Sequence, residues 1–495
     1  MELTGLVQQS VDWHAIAPEL VLAVSAFIVL VADLFLPKEG KWIAMPLAAA
    51  GIVATLAAVV SLAGDDRGTF EVAGSATFVV NDFALLFKGL FCVIGLFVLA
   101  ISFHHFRSGR YYQGEYYFLM LTSLLGGLAM ASARDLISIF IAIELISIPA
   151  IVMSAMRKGD ARSNEAGLKF FLFSVLSSAL MLYGMSLIYG LTGSTVLTDI
   201  ASSIGSIEAS SEPVVVLAVF FLLVGFAFKI SAVPFHFWAP DTYEGAPSPV
   251  AAFLSTASKV GGFVGLLILM FEAFPSVADT WRPLFAILAV ATMTVGNLVA
   301  LRQTQIIRLL AYSGIAQSGY VLVCFALIES GPGAAEANRQ ALTSAIVYLA
   351  IYAVMDAGAF AAAVSFARKG GSYFISDYSG LWRRSPVLAT LMAGFLVSLA
   401  GTPPMAGAWA KLFVFLATVQ AEVYWLAVVM GVNAVIAAWY YLAVVKAMFF
   451  DQPDSTEAVE VPYLLRAAMG LAAAALVAVF VYPPLITDLA DKAPL

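Results

Sequence analysis

Charge is what this sequence has least of. Only 12% of its 495 residues are Asp, Glu, Lys or Arg, while 62% are hydrophobic and the mean hydropathy is +0.94. A water-facing domain carries roughly 25% charged and about 45–50% apolar residues. A chain this poor in charge needs lipid over most of its surface, so length gives no count of soluble domains. Cysteine is nearly absent too: Cys92 and Cys324 stand in separate apolar runs, which excludes a disulfide framework and a cysteine-rich metal or iron–sulfur site. No glycine-rich phosphate loop occurs in a strand–turn–helix setting, and the four histidines offer no pair suited to haem. The net charge of −7 resides in short loops, with no basic stripe or tail, so no nucleic-acid partner is expected. These absences describe a chain that moves something and holds no cofactor or metal of its own. The first residues, MELTGLVQQSVDWHAIAPE, lack a basic segment and a cleavage site, so the apolar run after them is expected to be a first span.

What is present is a series of apolar runs long enough to cross a bilayer, which takes about 20 residues each. They predict an all-α polytopic membrane protein with fourteen spans, near 17–36, 43–63, 79–104, 115–132, 135–156, 166–191, 214–239, 247–273, 281–302, 305–328, 340–366, 385–418, 422–449 and 462–483. Fourteen basic residues fall in alternate loops: Lys38, Lys41, Arg107, Arg110, Arg157, Lys158, Arg162, Arg302, Arg308, Arg368, Lys369, Arg383, Arg384 and Arg466. The opposite loops hold five, Arg67, Arg134, Arg282, Arg339 and Lys492. The bias makes the first set cytoplasmic and puts both termini outside.

Six lysines remain within spans. Lys169, Lys446 and Lys88 are close enough to span ends to snorkel to the interface. Lys229, Lys259 and Lys411 are not, and an ionisable group inside a span costs roughly 2.5–3.5 kcal/mol unless it has a partner or a watery path. Two spans are broken, one by Pro234 and one by Gly401-Thr402-Pro403-Pro404. Proline lacks the N–H that the carbonyl four residues back would accept, and such a carbonyl is tolerated in hydrocarbon only where protein or water satisfies it. The segments 225–234 and 394–403 share Gly, Phe and Pro at an offset of 169 and lie in these two spans. Five spans separate them, so the copies cross in opposite senses. That is the pattern of inverted repeats, whose broken helices mark a midplane transport site.

Glu144, in IFIAIELISIP, is an isolated acid in mid-span, and Lys229 is its expected ion-pair partner. His236, two residues past Pro234, is expected to relay protons between Lys229 and Lys259, with an ordinary hydrogen-bonded histidine as the alternative. Asp356 and Asp33 are weaker candidates. Tyr348 and Tyr352 share a helix face with Asp356, either as a polar path or as packing aromatics.

NEAGLKFFLFSVLSSALMLYGMSLIYGLTGS (164–194), VPFHFWAPDTYEGAPSPVAAFLSTASKVGGF (233–263) and SLAGTPPMAGAWAKLFVF (398–415) resemble the signatures of subunit N of NADH–quinone oxidoreductase, respiratory complex I, over roughly residues 80–450. The resemblance implies fourteen helices, with helices 1–3 in residues 1–110, inverted five-helix repeats in 111–275 and 276–450, and a last helix in 451–495. It implies broken helices seven and twelve and a proton path through Glu144, Lys229, Lys259 and Lys411. It further implies a bacterial inner-membrane location, and partners among antiporter-like and small helical subunits of a membrane arm. Quinone, FMN and iron–sulfur clusters would belong to other subunits, leaving this chain a translocase component without redox chemistry. Asp356 departs from the family pattern, where a neutral residue is common. A subunit of a multisubunit Na⁺/H⁺ antiporter, with the same fold and buried lysines, is the alternative.

Overall fold

Backbone groups in hydrocarbon must be hydrogen-bonded within their own segment, which turns each apolar run into a helix. The computed structural model describes residues 11–72, 74–107, 113–205, 212–329, 334–367, 372–453 and 457–495. Of the predicted cytoplasmic set, Arg110, Arg368 and Lys369 lie outside the described residues. The chain begins with α1 (Ala17–Phe35), α2 (Ala44–Ser61), a hairpin of β1 (Arg67–Val72) and β2 (Ser75–Val80), α3 (Asp82–Arg107), α4 (Gln113–Ser132) and α5 (Leu136–Ser154). It continues with α6 (Ala161–Thr192), α7 (Leu197–Ile204), α8 (Glu212–Lys229), α9 (Trp238–Gly245), α10 (Ser248–Phe253), α11 (Lys259–Ile268), α12 (Ala278–Ala300) and α13 (Ile306–Ala326). It closes with α14 (Ala334–Ala367), α15 (Leu381–Arg384), α16 (Pro386–Ala400), α17 (Gly407–Gln420), α18 (Tyr424–Phe450), α19 (Tyr463–Val481) and α20 (Pro484–Asp491).

Among the described residues, eleven helical segments are long and apolar enough to cross a membrane. The 20-residue α4 and the interrupted pairs α8/α9 and α16/α17 fill the other positions where spans are predicted. This is a multi-pass helical membrane protein. The hairpin was not expected: β1 and β2 pair antiparallel with Arg67 opposite Val80, so Val79 and Val80 finish a strand and α3 starts at Asp82. The segment RGTFEV-AG-SATFVV carries β-branched and aromatic residues on either side of two small residues, a local strand signal that hydropathy alone overlooks.

Three rods form the centre. Residues 248–270 are buried along their whole length, and α13 and residues 341–366 of α14 nearly so. The helices around them turn apolar faces outward, as α6 does with Leu168, Phe171, Leu172, Val175 and Leu176. Small residues let the inner helices close up. A Cβ on Gly319 would lie 2.5 Å from the backbone nitrogen of Met293, so α13 packs backbone against backbone on α12. The central rod between α10 and α11 passes through a π-helical turn, Leu254–Ser258, ending immediately before Lys259. Such turns reorient the side chains that follow and recur at functional positions.

Candidate functional site

Pro234 removes the N–H that would have bonded the carbonyl of Ile230. Ser318 Oγ of α13 donates to that carbonyl instead, at 2.8 Å. Two residues earlier the Phe228 carbonyl accepts from Ser231 N and from Trp238 Nε1, each at 3.0 Å, and Val233 N donates to Thr292 Oγ1 at 3.0 Å. The opened helix is thus satisfied by side chains from its neighbours, and Lys229 ends its first half. The Lys229 ammonium donates to Ser147 Oγ of α5 at 2.7 Å and is buried.

The second break follows the same rule with a lysine in the leading part. Pro403 and Pro404 orphan the carbonyls of Leu399 and Ala400. Lys411, on α17, reaches back and donates to both, at 3.1 and 2.8 Å. Gln317 Nε2 gives Leu399 a second donor at 2.9 Å. The positive charge lies on the free carbonyl end of α16, where the helix dipole favours it. Gly401, left-handed at φ +81°, caps that end, and a Cβ on it would come within 2.5 Å of Lys411 Cδ.

The two breaks repeat, but at an offset of 170. Ser231 and Gly401 are both left-handed. Ser231 N bonds Phe228 O as Gly401 N bonds Ser398 O, and Ala232 N bonds Ala227 O as Thr402 N bonds Val397 O. The expected offset of 169, resting on shared Gly, Phe and Pro letters, is one residue short. What recurs is the backbone turn, which those letters do not encode.

Between the breaks runs a polar thread on the central rods. Lys259 is buried with Nζ near the Tyr352 ring, 5.9 Å from its centroid, and that nitrogen has no hydrogen-bond partner among the described residues. Tyr352 donates to the Ser255 carbonyl at 2.9 Å and its hydroxyl stands 3.4 Å from Asp356 Oδ2. One turn along α14, Tyr348 donates to Gln317 Oε1, whose amide reaches the Leu399 carbonyl shared with Lys411. Lys411 Nζ also lies 4.8 Å from the Tyr320 ring centroid. At the other end, Lys229 Cγ packs where a Cβ on Gly262 would be 2.9 Å away, one turn from Lys259. Tyr348 and Tyr352 are therefore both hydrogen-bonded, and are not bare packing aromatics. Gln317 escaped the sequence reading because an uncharged amide in an apolar helix gives no electrostatic signal.

Two expectations are corrected. Glu144 and Lys229 form no direct ion pair: Ser178 Oγ donates to the Glu144 carboxylate, and Ser147, one turn further along α5, takes Lys229. Serines at 147 and 178 intervene because they are nearer than the opposite charge. Lys88 does not snorkel. It is fully buried, and its ammonium meets Glu19 of α1 at 2.8 Å. A second buried pair, Arg134 with Glu272 at 2.7 Å, joins the start of α5 to the end of the central rod. Lys169 is half-exposed and held by Glu165 at 2.8 Å and Asp241 at 2.6 Å, while Lys446 is exposed. Asp33 pairs with Lys41 at 2.5 Å. His236 is buried in the first break, with no bond to Lys229 or Lys259 among the described residues and Nδ1 without a partner. No group of three His, Cys, Asp or Glu among those residues is arranged to hold a metal ion.

The membrane family described as NADH:quinone oxidoreductase/Mrp antiporter matches residues 133–437. A relative from Streptomyces griseus, named NADH-quinone oxidoreductase subunit N 2, is 42% identical over 457 residues, 90% of this chain and 84% of the relative. The chain belongs to the subunit N family of NADH-quinone oxidoreductase. A chain of respiratory complex I from Thermus thermophilus superposes with a TM-score of 0.79 at 30% identity, over 96% of this chain and 99% of that one. A chain of the Mrp complex from Dietzia, at 20% identity and a TM-score of 0.85 over 97% of both, shares the fold. Within the subunit N family frame, the matched segment takes in Glu144, Lys229, His236, Lys259, Asp356 and Lys411, and leaves the Glu19–Lys88 pair outside it.

Proposed function

We propose that this chain translocates protons as a membrane-arm subunit of a bacterial inner-membrane NADH–quinone oxidoreductase, carrying no redox cofactor itself. The observation that carries the proposal is the thread of buried polar groups from Lys229 past Lys259 and Tyr352 to Lys411, anchored at both helix breaks. Fourteen crossings, both termini outside, and inverted repeats over 111–275 and 276–450 complete the proposal, supported by the basic-residue asymmetry and the repeated turn. Quinone, FMN and iron–sulfur clusters are assigned to partner subunits.

Glu144, one turn from Ser147 on α5, acts on Lys229 through space without direct contact. Charge moved at the neighbouring subunit disturbs Glu144, and the proton passes from Lys229 towards Lys259 and Lys411. His236 lines the opened break and offers a ring nitrogen to that transfer. Each charge crossing the field costs about 2.3 kcal/mol per 100 mV, which quinone reduction elsewhere in the complex must supply. Removing this chain should abolish NADH-driven, uncoupler-sensitive acidification of inverted vesicles. The alternative, a Na⁺/H⁺ antiporter subunit, predicts instead the loss of Na⁺-driven proton exchange with NADH-driven acidification intact.

A further inference from the structure

Asp356 and Lys259 are opposite charges buried on facing central helices, and each has an atom without a hydrogen-bond partner among the described residues: Asp356 Oδ1 and Lys259 Nζ. A buried carboxylate normally has its oxygens hydrogen-bonded or ion-paired, because an unsatisfied buried acceptor is costly. Asp356 is not saturated. The Ser255 side chain and the Tyr352 hydroxyl both face the carboxylate, and Tyr352 has a single hydrogen to share between the Ser255 carbonyl at 2.9 Å and Asp356 Oδ2 at 3.4 Å. Tyr352 also faces Lys259. A Cβ on Gly314 would lie 2.8 Å from Lys259 Nζ and 3.1 Å from Tyr352 Oη, so both polar atoms border the same glycine. Ser258 Oγ, beside Lys259 on the π-helical turn, is likewise buried without a partner. The arrangement has a donor, a hydroxyl able to pass a proton on, and an acceptor, in that order.

We propose that Asp356 is a proton acceptor for Lys259, so that this chain carries a second lysine–carboxylate couple of its own on the central rods. Lys259 Nζ releases a proton to the Tyr352 oxygen while Tyr352 passes its own to Asp356 Oδ2. An N–H bond breaks, an O–H bond forms at the carboxylate, and two opposite charges become two neutral groups. Reversal restores the ions, and no other reactant takes part. The couple parks a proton on the polar thread between Lys229 and Lys411, with Gly314 keeping the gap open.

This inference rests on the translocation proposed above, and the test separates the two. Proton uptake by inverted vesicles, driven by NADH and normalised to assembled complex, is measured for Asp356→Asn, Asp356→Glu, Gly314→Ala, Lys259→Ala and Lys229→Ala. Asp356→Asn keeps the shape and loses the titrating group. It should slow uptake at least about tenfold, as expected for loss of a positioned proton-transfer group. Asp356→Glu should restore most of the rate, and Gly314→Ala, which fills the gap, should behave like Asp356→Asn. A carboxyl stretching band in the NADH-induced infrared difference spectrum should vanish in Asp356→Asn. Normal uptake in Asp356→Asn beside impaired Lys259→Ala overturns the role of Asp356 alone. Equal impairment in the Asn and Glu variants with the infrared band unchanged also overturns it, since that is a packing effect. Normal uptake in both lysine variants overturns the translocation reading itself.

Discussion

Gly401 answers two demands at one position: a left-handed backbone that caps α16, and room for the stem of Lys411. A side chain there costs about 1–2 kcal/mol for the backbone alone and pushes on Lys411. Gly401→Ala should lower the thermal midpoint of the assembled complex and weaken pumping. Gly431→Ala, in open space on α18, should leave both unchanged. Lys88 gives a second test. Lys88→Met strands Glu19 in low dielectric, a loss of about 3–5 kcal/mol for a broken buried pair, whereas Glu19→Gln with Lys88→Met should recover most of it. Thermal unfolding of the complex measures both, and the double variant should pump normally because the pair lies off the polar thread. Lys229, Lys259 and Lys411 stood out in the sequence because burial of a charge is visible in one apolar window. Their partners did not: Ser147, Gln317 and Tyr352 come from other helices, and Glu19 lies 69 residues from Lys88. A helix end within a few residues made Lys88 look like an interfacial lysine, yet α1 covers it.

A broken helix is the element on which the account turns, and its cost falls on the carbonyls that proline orphans. Trp238→Phe removes one of the two donors to the buried Phe228 carbonyl and leaves Ser231 N as the other, a loss of about 0.5–1.5 kcal/mol for one hydrogen bond. The expected result is a lower unfolding temperature of the complex with its subunit composition unchanged, read by differential scanning calorimetry and native gels. An unchanged transition would mean that Ser231 N alone satisfies Phe228 and the indole is packing only. The breaks themselves were legible, since Pro234 and Pro403-Pro404 interrupt otherwise continuous apolar runs. Their alignment was not. Gly225 and Gly394 share a letter but not a place, while Ser231 and Gly401 share a place and not a letter. The β1–β2 hairpin was missed for a related reason: a hydropathy window sees FVV as the start of a span, and strand pairing depends on residues 67–72 outside that window.

For the whole molecule, helix positions agree with the apolar runs of the sequence reading to within a few residues at most boundaries, because hydrocarbon thickness and helix rise leave little choice. The orientation rests on basic asymmetry and is open to direct test. Asp66→Cys and Lys492→Cys, both at exposed positions, should react with an impermeant maleimide on intact spheroplasts, and Lys158→Cys should react only after lysis. Cys92 and Cys324 are buried and should not interfere. The reverse labelling pattern would invert the topology and with it the direction assigned to the path. The central claim is that buried lysines at the helix breaks carry the pumped proton. Its most direct test is proton uptake by inverted vesicles, driven by NADH and normalised to assembled complex, in Lys229→Ala against Lys446→Ala. Lys229→Ala should lose at least about tenfold, as for a removed proton-transfer group, with Lys229→Arg failing to rescue because arginine hardly releases its proton. Lys446→Ala should pump normally. Normal uptake in Lys229→Ala would contradict the account.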